Sequence, residues 1–261
     1  MKSKLIAYWK GKAVLVTGAS SGLGYALVEA LAPYGIQFCL LSRRQEPMEG
    51  LAKKLATSGS QFWIRACDVQ KREEVETAIA DFVKTAGRLD VAWVNSGIGG
   101  DTSFKRWDWD FVERMLDTNL KGAIYTAHTC LTFMVRQNHG AIIAISSAAA
   151  MRGLAGRSIY SVTKIGLAYY MEAMAAELPH IQFTTIYPGF VDTPINRGNP
   201  NRFWLMTAEH AAQLMIKAVA KRKQEYIYPF RMKLLFHLVR ALPASLYRWL
   251  GQRMIELSRP R

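Results

Sequence analysis

AVLVTGASSGLG, residues 13–24, decides the architecture. AVLV is a short uncharged apolar run, the pattern of a strand buried on both faces. It runs directly into TGASSGLG, where Gly18, Gly22 and Gly24 leave the backbone unencumbered. A helix-period segment follows near 23–34. Strand, glycine turn and helix in that order leave backbone N–H groups facing outward at a helix start. The helix dipole there favours negative charge, and a dinucleotide pyrophosphate fits the cradle. Gly18, Ser20, Ser21, Gly22, Leu23 and Gly24 are therefore candidate cofactor contacts.

The alternation continues along the chain. Further strands are expected at FCLL (38–41), FWIRAC (62–67), VAWV (91–94), AIIAI (141–145), QFTTIY (182–187) and EYIY (225–228). Helical patterns fall near 47–57, 71–86, 107–137, 159–178 and 207–222. Alternating strands and helices imply right-handed crossovers and a parallel sheet with helices on both faces. The expectation is a single doubly wound Rossmann-type α/β domain with seven strands over residues 1–229. A helical extension follows at 230–261. No repeat or low-complexity linker interrupts it.

The end of the second strand selects the dinucleotide. An NAD site usually places an acid there for the ribose hydroxyls. This chain has Ser42-Arg43-Arg44 instead. Two guanidiniums beside small hydroxyls suit a 2′-phosphate, which points to NADP(H). At the end of the third strand, Asp68-Val69 can hydrogen-bond and flank an adenine; a helix cap is the other reading of that acid.

The fifth strand leads into ISSAAA. Ser147 lies 13 residues before Tyr160, and Lys164 follows one helical turn later. Tyr160 is a candidate acid/base for hydride chemistry at a carbonyl, with Ser147 holding the oxygen. An ammonium about 4 Å from a phenolate stabilises it by roughly 4 kcal/mol at an effective dielectric near 20. That is about three pKa units, so Lys164 is expected to lower the pKa of Tyr160.

With these residues in view, the chain resembles the short-chain dehydrogenase/reductase family over about residues 10–228. The likeness rests on TGASSGLG, the Asn95-Ser96-Gly97 turn, Asn119, Ser147, YSVTK and the Pro188-Gly189 turn. It implies a tetrad of Asn119, Ser147, Tyr160 and Lys164. In it the tyrosine is acid/base, the lysine also holds the nicotinamide ribose, and the asparagine holds a water of a proton relay. It also implies that Val191 and Thr193 contact the nicotinamide amide, and that the family is commonly dimeric or tetrameric. One departure is Val94-Asn95-Ser96-Gly97, where the family usually has Asn-Asn-Ala-Gly; a locally altered hydrogen-bond pattern is expected there.

INRGNPNRFWLM, residues 195–206, matches the region that closes over the substrate in the family. Phe203 and Trp204 would supply an apolar inner face, with Gly153, Leu154 and Ala155 as another wall. A hydrophobic carbonyl substrate is implied. Packing of this loop on the core is the plainer alternative.

The net charge is +14, and residues 217–261 carry 11 Lys/Arg against Glu225 and Glu256. The tail 231–257 is amphipathic, with Leu235, Leu238, Val239 and Leu242 expected on one side and Lys233, His237 and Arg240 on the other. Ser245 is expected to cap a second helix after Pro243. Packing against the substrate lobe or a partner subunit is one reading of this tail. Peripheral docking on an anionic membrane surface is the other. Nucleic-acid binding is set aside, since no helix-turn-helix, zinc ligand set or RNA-binding aromatic signature occurs. The first ten residues contain no apolar run long enough for a signal peptide, and no run suits a transmembrane helix. Cys39, Cys67 and Cys130 are scattered, as in a reducing cytoplasmic setting, and no metal-ligand spacing appears. Two functions are weighed: an NADP(H)-dependent reductase of a hydrophobic carbonyl compound, and an NADPH-binding, membrane-docked interaction or redox-sensing protein.

Overall fold

The computed structural model describes residues 2–197 and 202–257. Seven strands form one sheet: β1 Ala13–Thr17, β2 Gln37–Ser42, β3 Gln61–Ala66, β4 Val91–Val94, β5 Ala141–Ile145, β6 Gln182–Pro188 and β7 Glu225–Tyr228. Every pairing is parallel, in the order β3-β2-β1-β4-β5-β6-β7. The order reverses between β1 and β4, so a crevice opens at the carboxyl ends of those two strands. β1, β4 and β5 are buried along their whole length, which is why they read as unbroken apolar runs.

Successive side chains of a strand point to opposite faces, and each face carries its own core. Val14 and Val16 join helices α2 (Gly22–Leu31), α3 (Glu46–Lys54) and α8 (Ala208–Ala220) on one side. Ala13 and Leu15 join α4 (Arg72–Ala86), α6 (Gly122–Arg136) and α7 (Ser158–Glu177) on the other. The doubly wound fold expected from the strand–helix alternation is thus present, with each strand within about one residue of its expected span.

Three features differ from the sequence reading. A helix, α1 (Lys2–Trp9), precedes the sheet. Its Trp9 is fully buried, lies parallel to Trp93 at 6.2 Å, and donates its indole N–H to the Ile216 carbonyl at 3.2 Å. The single helix expected over 107–137 is two helices, α5 (Trp109–Leu116) and α6, joined by a π-helical turn at Asp117–Lys121. The tail forms the two expected helices, α9 (Phe230–Ala241) and α10 (Ala244–Leu257), and differs at the expected cap. Ser245 lies inside the first turn of α10 and not ahead of it.

α9 begins where β7 ends, at the carboxyl edge of the sheet. Met232 and Phe236 are buried with Ala148, Ala150, Ala168, Tyr187 and Ile227 in a third apolar cluster. The tail therefore packs on the same body as the sheet. Among the described residues, no helix is long and apolar enough to cross a membrane, and no His, Cys, Asp or Glu cluster could hold a metal ion.

Candidate active site

The glycine turn leaves β1 and enters α2 with Gly18 and Gly22 at positive φ, 68° and 57°. A Cβ on Gly24 would lie 2.4 Å from the Gly18 carbonyl oxygen and 2.7 Å from Asn95 Nδ2. The turn is thus packed against the β4 end as tightly as glycine permits. Ser21, at the N-cap of α2, makes no side-chain capping bond, and the first turn of α2 carries no acid. This leaves a cradle of the kind that accepts an anion at a helix start.

Asn95 holds the cradle together. Its amide donates to the Thr17 carbonyl at 2.9 Å, while the Asn95 and Ser96 N–H groups donate to Thr17 Oγ1 at 3.0 and 3.1 Å. Sequence reasoning placed Asn95 as a cofactor contact; its side chain faces the β1 turn. Thr17 was missed, although a threonine closing an otherwise apolar strand is a visible signal. The altered Val94-Asn95-Ser96-Gly97 segment thus keeps a full set of bonds across the switch point.

The serines and arginines after β1 and β2 meet. Ser42 Oγ donates to Ser20 Oγ at 2.8 Å, and Arg44 reaches Ser20 and Ser21 Oγ at 3.2 and 3.4 Å. Arg43 turns the other way and lines a cavity of about 450 Å³ with Arg65, Ala66, Cys67, Asp68, Lys71 and Glu74. Asp68 Oδ1 accepts from the Gln70 N–H at 3.1 Å, a local turn before α4. Val69 is buried, and its carbonyl lies where a Cβ on Gly122 would be, at 2.7 Å.

On the far side of the switch point, β5 delivers Ser147 and α7 delivers Tyr160 and Lys164. Ser147 Oγ accepts from the Ala149 N–H at 3.1 Å, which fixes the residue at the strand end. The Ser147 hydroxyl lies close enough to Tyr160 to lower its pKa. Lys164 is 4 % exposed; its ammonium donates to the Ile145 carbonyl at 2.8 Å and lies 5.7 Å from the centre of the Tyr160 ring. Ser146, another missed residue, donates to the Lys164 carbonyl at 2.8 Å and anchors α7 on β5.

Asn119 lies on the π turn and is fully buried. Its side chain exchanges two 2.8 Å bonds with the backbone of Ile98, donating to the carbonyl and accepting from the N–H. The π turn explains why the helix breaks here: the extra residue presents Asn119 to the loop after β4. A Cβ on Gly97 would come within 3.3 Å of Asn119 Oδ1 and 3.4 Å of Lys164 Nζ, so these three positions adjoin.

The electrostatics differ from the sequence expectation. Burial pushes the pKa of Tyr160 up; the Ser147 hydroxyl and the nearby Arg157 lower it only in part. Burial also brings the pKa of Lys164 down to about 8. Desolvation is the largest cause at both groups. Tyr160 is consequently a protonated phenol at neutral pH, able to donate.

The β6 end closes the crevice. The Gly189 N–H donates to the Tyr228 carbonyl at 2.8 Å, fixing the Pro188-Gly189 turn. Val191 and Thr193 are buried, and the Thr193 side chain sits over the glycine turn, where a Cβ on Gly22 would meet it at 3.3 Å. One loop thus spans from the glycine cradle toward Tyr160.

The chain matches the family profile of short chain dehydrogenase over residues 12–202. It belongs to that family. An oxidoreductase of Myxococcus xanthus without assigned substrate is 33 % identical over 247 residues, covering 93 % of this chain and 97 % of that protein. The 3-oxoacyl-[acyl-carrier-protein] reductase FabG of Chlamydia muridarum is 30 % identical over 74 % of this chain and 81 % of its own length. A crystal structure of a short-chain dehydrogenase/reductase from Mycobacterium marinum superposes with a TM-score of 0.79 at 24 % identity, covering 86 % of this chain and 96 % of that one. An alcohol dehydrogenase of Thermococcus sibiricus, complexed with 5-hydroxy-NADP, gives 0.77 at 24 % identity, over 84 % of this chain and 96 % of that one. This short-chain dehydrogenase is accordingly an oxidoreductase that uses a nicotinamide dinucleotide on a small-molecule substrate.

Phe203 and Trp204, expected on the substrate side, are 46 % and 40 % exposed, and Phe203 packs edge-on against Phe190 and Trp204. Part of the loop that carries them, residues 198–201, lies outside the described residues. The Leu154 N–H donates to Ser161 Oγ at 3.3 Å, and the Gly153 carbonyl accepts from the Tyr247 hydroxyl at 2.8 Å. In this short-chain dehydrogenase the tail therefore touches the loop between Ser147 and Tyr160, a contact that sequence reasoning could only pose as an alternative.

Proposed function

We propose that the protein is an NADPH-dependent reductase of a hydrophobic ketone or aldehyde, running in reverse as a secondary-alcohol dehydrogenase. The observation that carries the reading is the meeting of the β5 end with α7: Tyr160 is a half-buried phenol beside Ser147, and the Lys164 ammonium, held by the Ile145 carbonyl, lies 5.7 Å from its ring. NADPH, when held by the glycine cradle and the Ser20, Ser21, Ser42 and Arg44 cluster, would supply a hydride for the carbonyl carbon. Tyr160 gives its proton to the carbonyl oxygen as the C=O π bond becomes a C–H and an O–H bond. Ser147 donates a hydrogen bond to the same oxygen and fixes its distance from the phenol. Lys164 stabilises the tyrosinate left behind, and solvent protons restore it. Asn119, locked to Ile98, holds the loop that flanks Lys164.

At the other end of the crevice, Ser20, Ser21, Ser42 and Arg44 form a cluster whose donors suit a 2′-phosphate. Arg43 and Asp68, with Val69 beneath them, flank the adenine side. Exposed Val162 and Tyr169 on α7, with Gly166 between them on the same face, suit pairing of this helix with a second copy, as a homodimer or homotetramer. A screen of hydrophobic ketones and β-keto compounds followed by NADPH absorbance tests the reading. Tyr160→Phe should abolish turnover and keep NADPH affinity within about twofold. Equal turnover by Tyr160→Phe would remove the mechanism, and NADPH binding without oxidation across the panel would favour a non-enzymatic role.

A further inference from the structure

α9 carries two apolar stripes, and only one of them is used by the fold. The inner stripe, Met232, Leu235, Phe236 and Val239, faces the domain: Met232 and Phe236 are buried and the other two half-buried. The outer stripe, Phe230, Leu234 and Leu238, repeats every four residues on one helix face. These side chains are 71 %, 58 % and 63 % exposed. On α10, Leu246, Trp249 and Leu250 are exposed as well, and on the loop before α8 so are Phe203, Trp204 and Leu205. A contiguous run of large apolar groups left in water on a packed helix needs an occupant.

The charge around the stripe says which. Arg231, Lys233, Arg240 and Arg248 are all exposed, and residues 230–250 contain no acid. None of the four forms a salt bridge among the described residues. A second copy docked face to face would set these cations against their own counterparts with no carboxylate between them. A surface that combines buried-depth apolar side chains, a tryptophan and an uncompensated basic fringe matches the boundary of an anionic bilayer.

We infer that the outer face of α9 and α10 docks on an anionic lipid surface. Phe230, Leu234, Leu238, Leu246 and Trp249 enter the acyl boundary, and the arginines and lysine pair with lipid phosphates. α9 starts at the carboxyl edge of the sheet, and Arg152 ties the far end of the helix to the loop ahead of Tyr160 through the Val239 and Leu242 carbonyls. The inner face of the docked helix thus packs beside the loop ahead of Tyr160, and docking by its outer face would bring a lipid-dissolved substrate near the crevice.

The test is sedimentation of the full chain with vesicles, with thermal unfolding as a check on fold. The wild type should pellet with vesicles of phosphatidylcholine containing 30 % phosphatidylglycerol and stay in solution with phosphatidylcholine alone. In 1 M salt, where the screening length falls to about 3 Å, binding should weaken severalfold. Phe230→Ser/Leu234→Ser/Leu238→Ser alters only exposed side chains and should lower binding about tenfold or more. Arg231→Gln/Lys233→Gln/Arg248→Gln should remove the preference for the anionic vesicles. The inference is overturned if the wild type pellets with neither vesicle, or if the serine variant binds as well as the wild type. It is equally overturned if, without vesicles, the wild type is a larger oligomer that the serine variant reduces, since a second copy would then own the face. None of these readouts uses turnover, so failure here leaves the reductase reading standing, and the reverse.

Discussion

Lys164 should make this protein more stable in alkali, and the size of the effect follows from its burial. Its pKa falls from an ordinary 10.5 to about 8 because the ammonium is desolvated between β5 and α7. The sign runs opposite to that of a paired lysine. Below pH 8 both folded and unfolded chains hold the proton, and the folded state bears the whole penalty of a buried charge. That penalty is about 3 kcal/mol, from a shift of roughly 2.5 units at 1.36 kcal/mol each. Between pH 8 and 10.5 the unfolded chain binds the proton and the folded chain has released it, so stability rises with pH. Over the accessible window from pH 7 to 9.5 the gain is about 2 kcal/mol. Lys164→Met removes the titration. Urea unfolding of both proteins at the two pH values, without cofactor, isolates it, because the remaining groups titrate alike in each. The stability of the wild type minus that of Lys164→Met should increase by about 2 kcal/mol from pH 7 to 9.5. A difference independent of pH would refute the claim that this lysine sits charged and desolvated at neutral pH.

Gly24→Ala would put a methyl 2.4 Å from the Gly18 carbonyl; urea unfolding should show a loss of about 1–3 kcal/mol, and fluorescence titration a weaker affinity for NADPH. Gly50→Ala in α3, where a Cβ meets nothing within 4 Å, is its control and should stabilise by about 0.5–1 kcal/mol. Arg44→Ala should weaken NADPH by about ten- to hundredfold, the loss of a charge-assisted contact, and leave NADH unchanged; equal loss for both would place the 2′-phosphate elsewhere. Arg152→Ala, which releases the Val239 and Leu242 carbonyls and the Tyr247 ring, should raise KM for a hydrophobic ketone severalfold with kcat and the KM for NADPH held, and Arg152→Lys should recover part of it.

The parts of this molecule that read clearly from sequence are those where one physical demand acts alone. A strand buried on both faces must be apolar throughout, so β1, β4 and β5 announce themselves. A turn pressed against a neighbouring strand must be glycine, so Gly18 and Gly24 do too. Ser147, Tyr160 and Lys164 were legible as a set because the topology carries a β5 end and an α7 start to one edge. Where two demands overlap, the pattern blurs. The apolar rhythm of 107–137 runs straight through Asn119, and nothing in it signals a π turn; the turn exists because a buried amide must satisfy both groups of the Ile98 backbone. The pKa of Tyr160 depends on how much water the fold removes, which no spacing encodes. α1 was invisible because, among its described side chains, Trp9 alone is fully buried, and its partner Trp93 is far along the chain.

The tail shows the same limit with a functional consequence. The sequence reading put Leu235, Leu238, Val239 and Leu242 on one apolar side. In the structure Leu235 and Val239 turn inward with Met232 and Phe236, while Leu238 turns outward with Phe230 and Leu234. A helix needs a stripe about 100° wide to bury one face, and α9 holds apolar residues across more than twice that. A single amphipathic axis drawn through it averages the two stripes into one and hides the free one. The surplus is the informative quantity: packing accounts for the inner stripe and leaves the outer one unexplained by the fold. A helix that served only to cover the substrate side would carry polar residues at 230, 234 and 238. That it carries Phe, Leu and Leu there, among exposed cations in a stretch, 230–250, that contains no acid, is what separates the docking reading from plain packing.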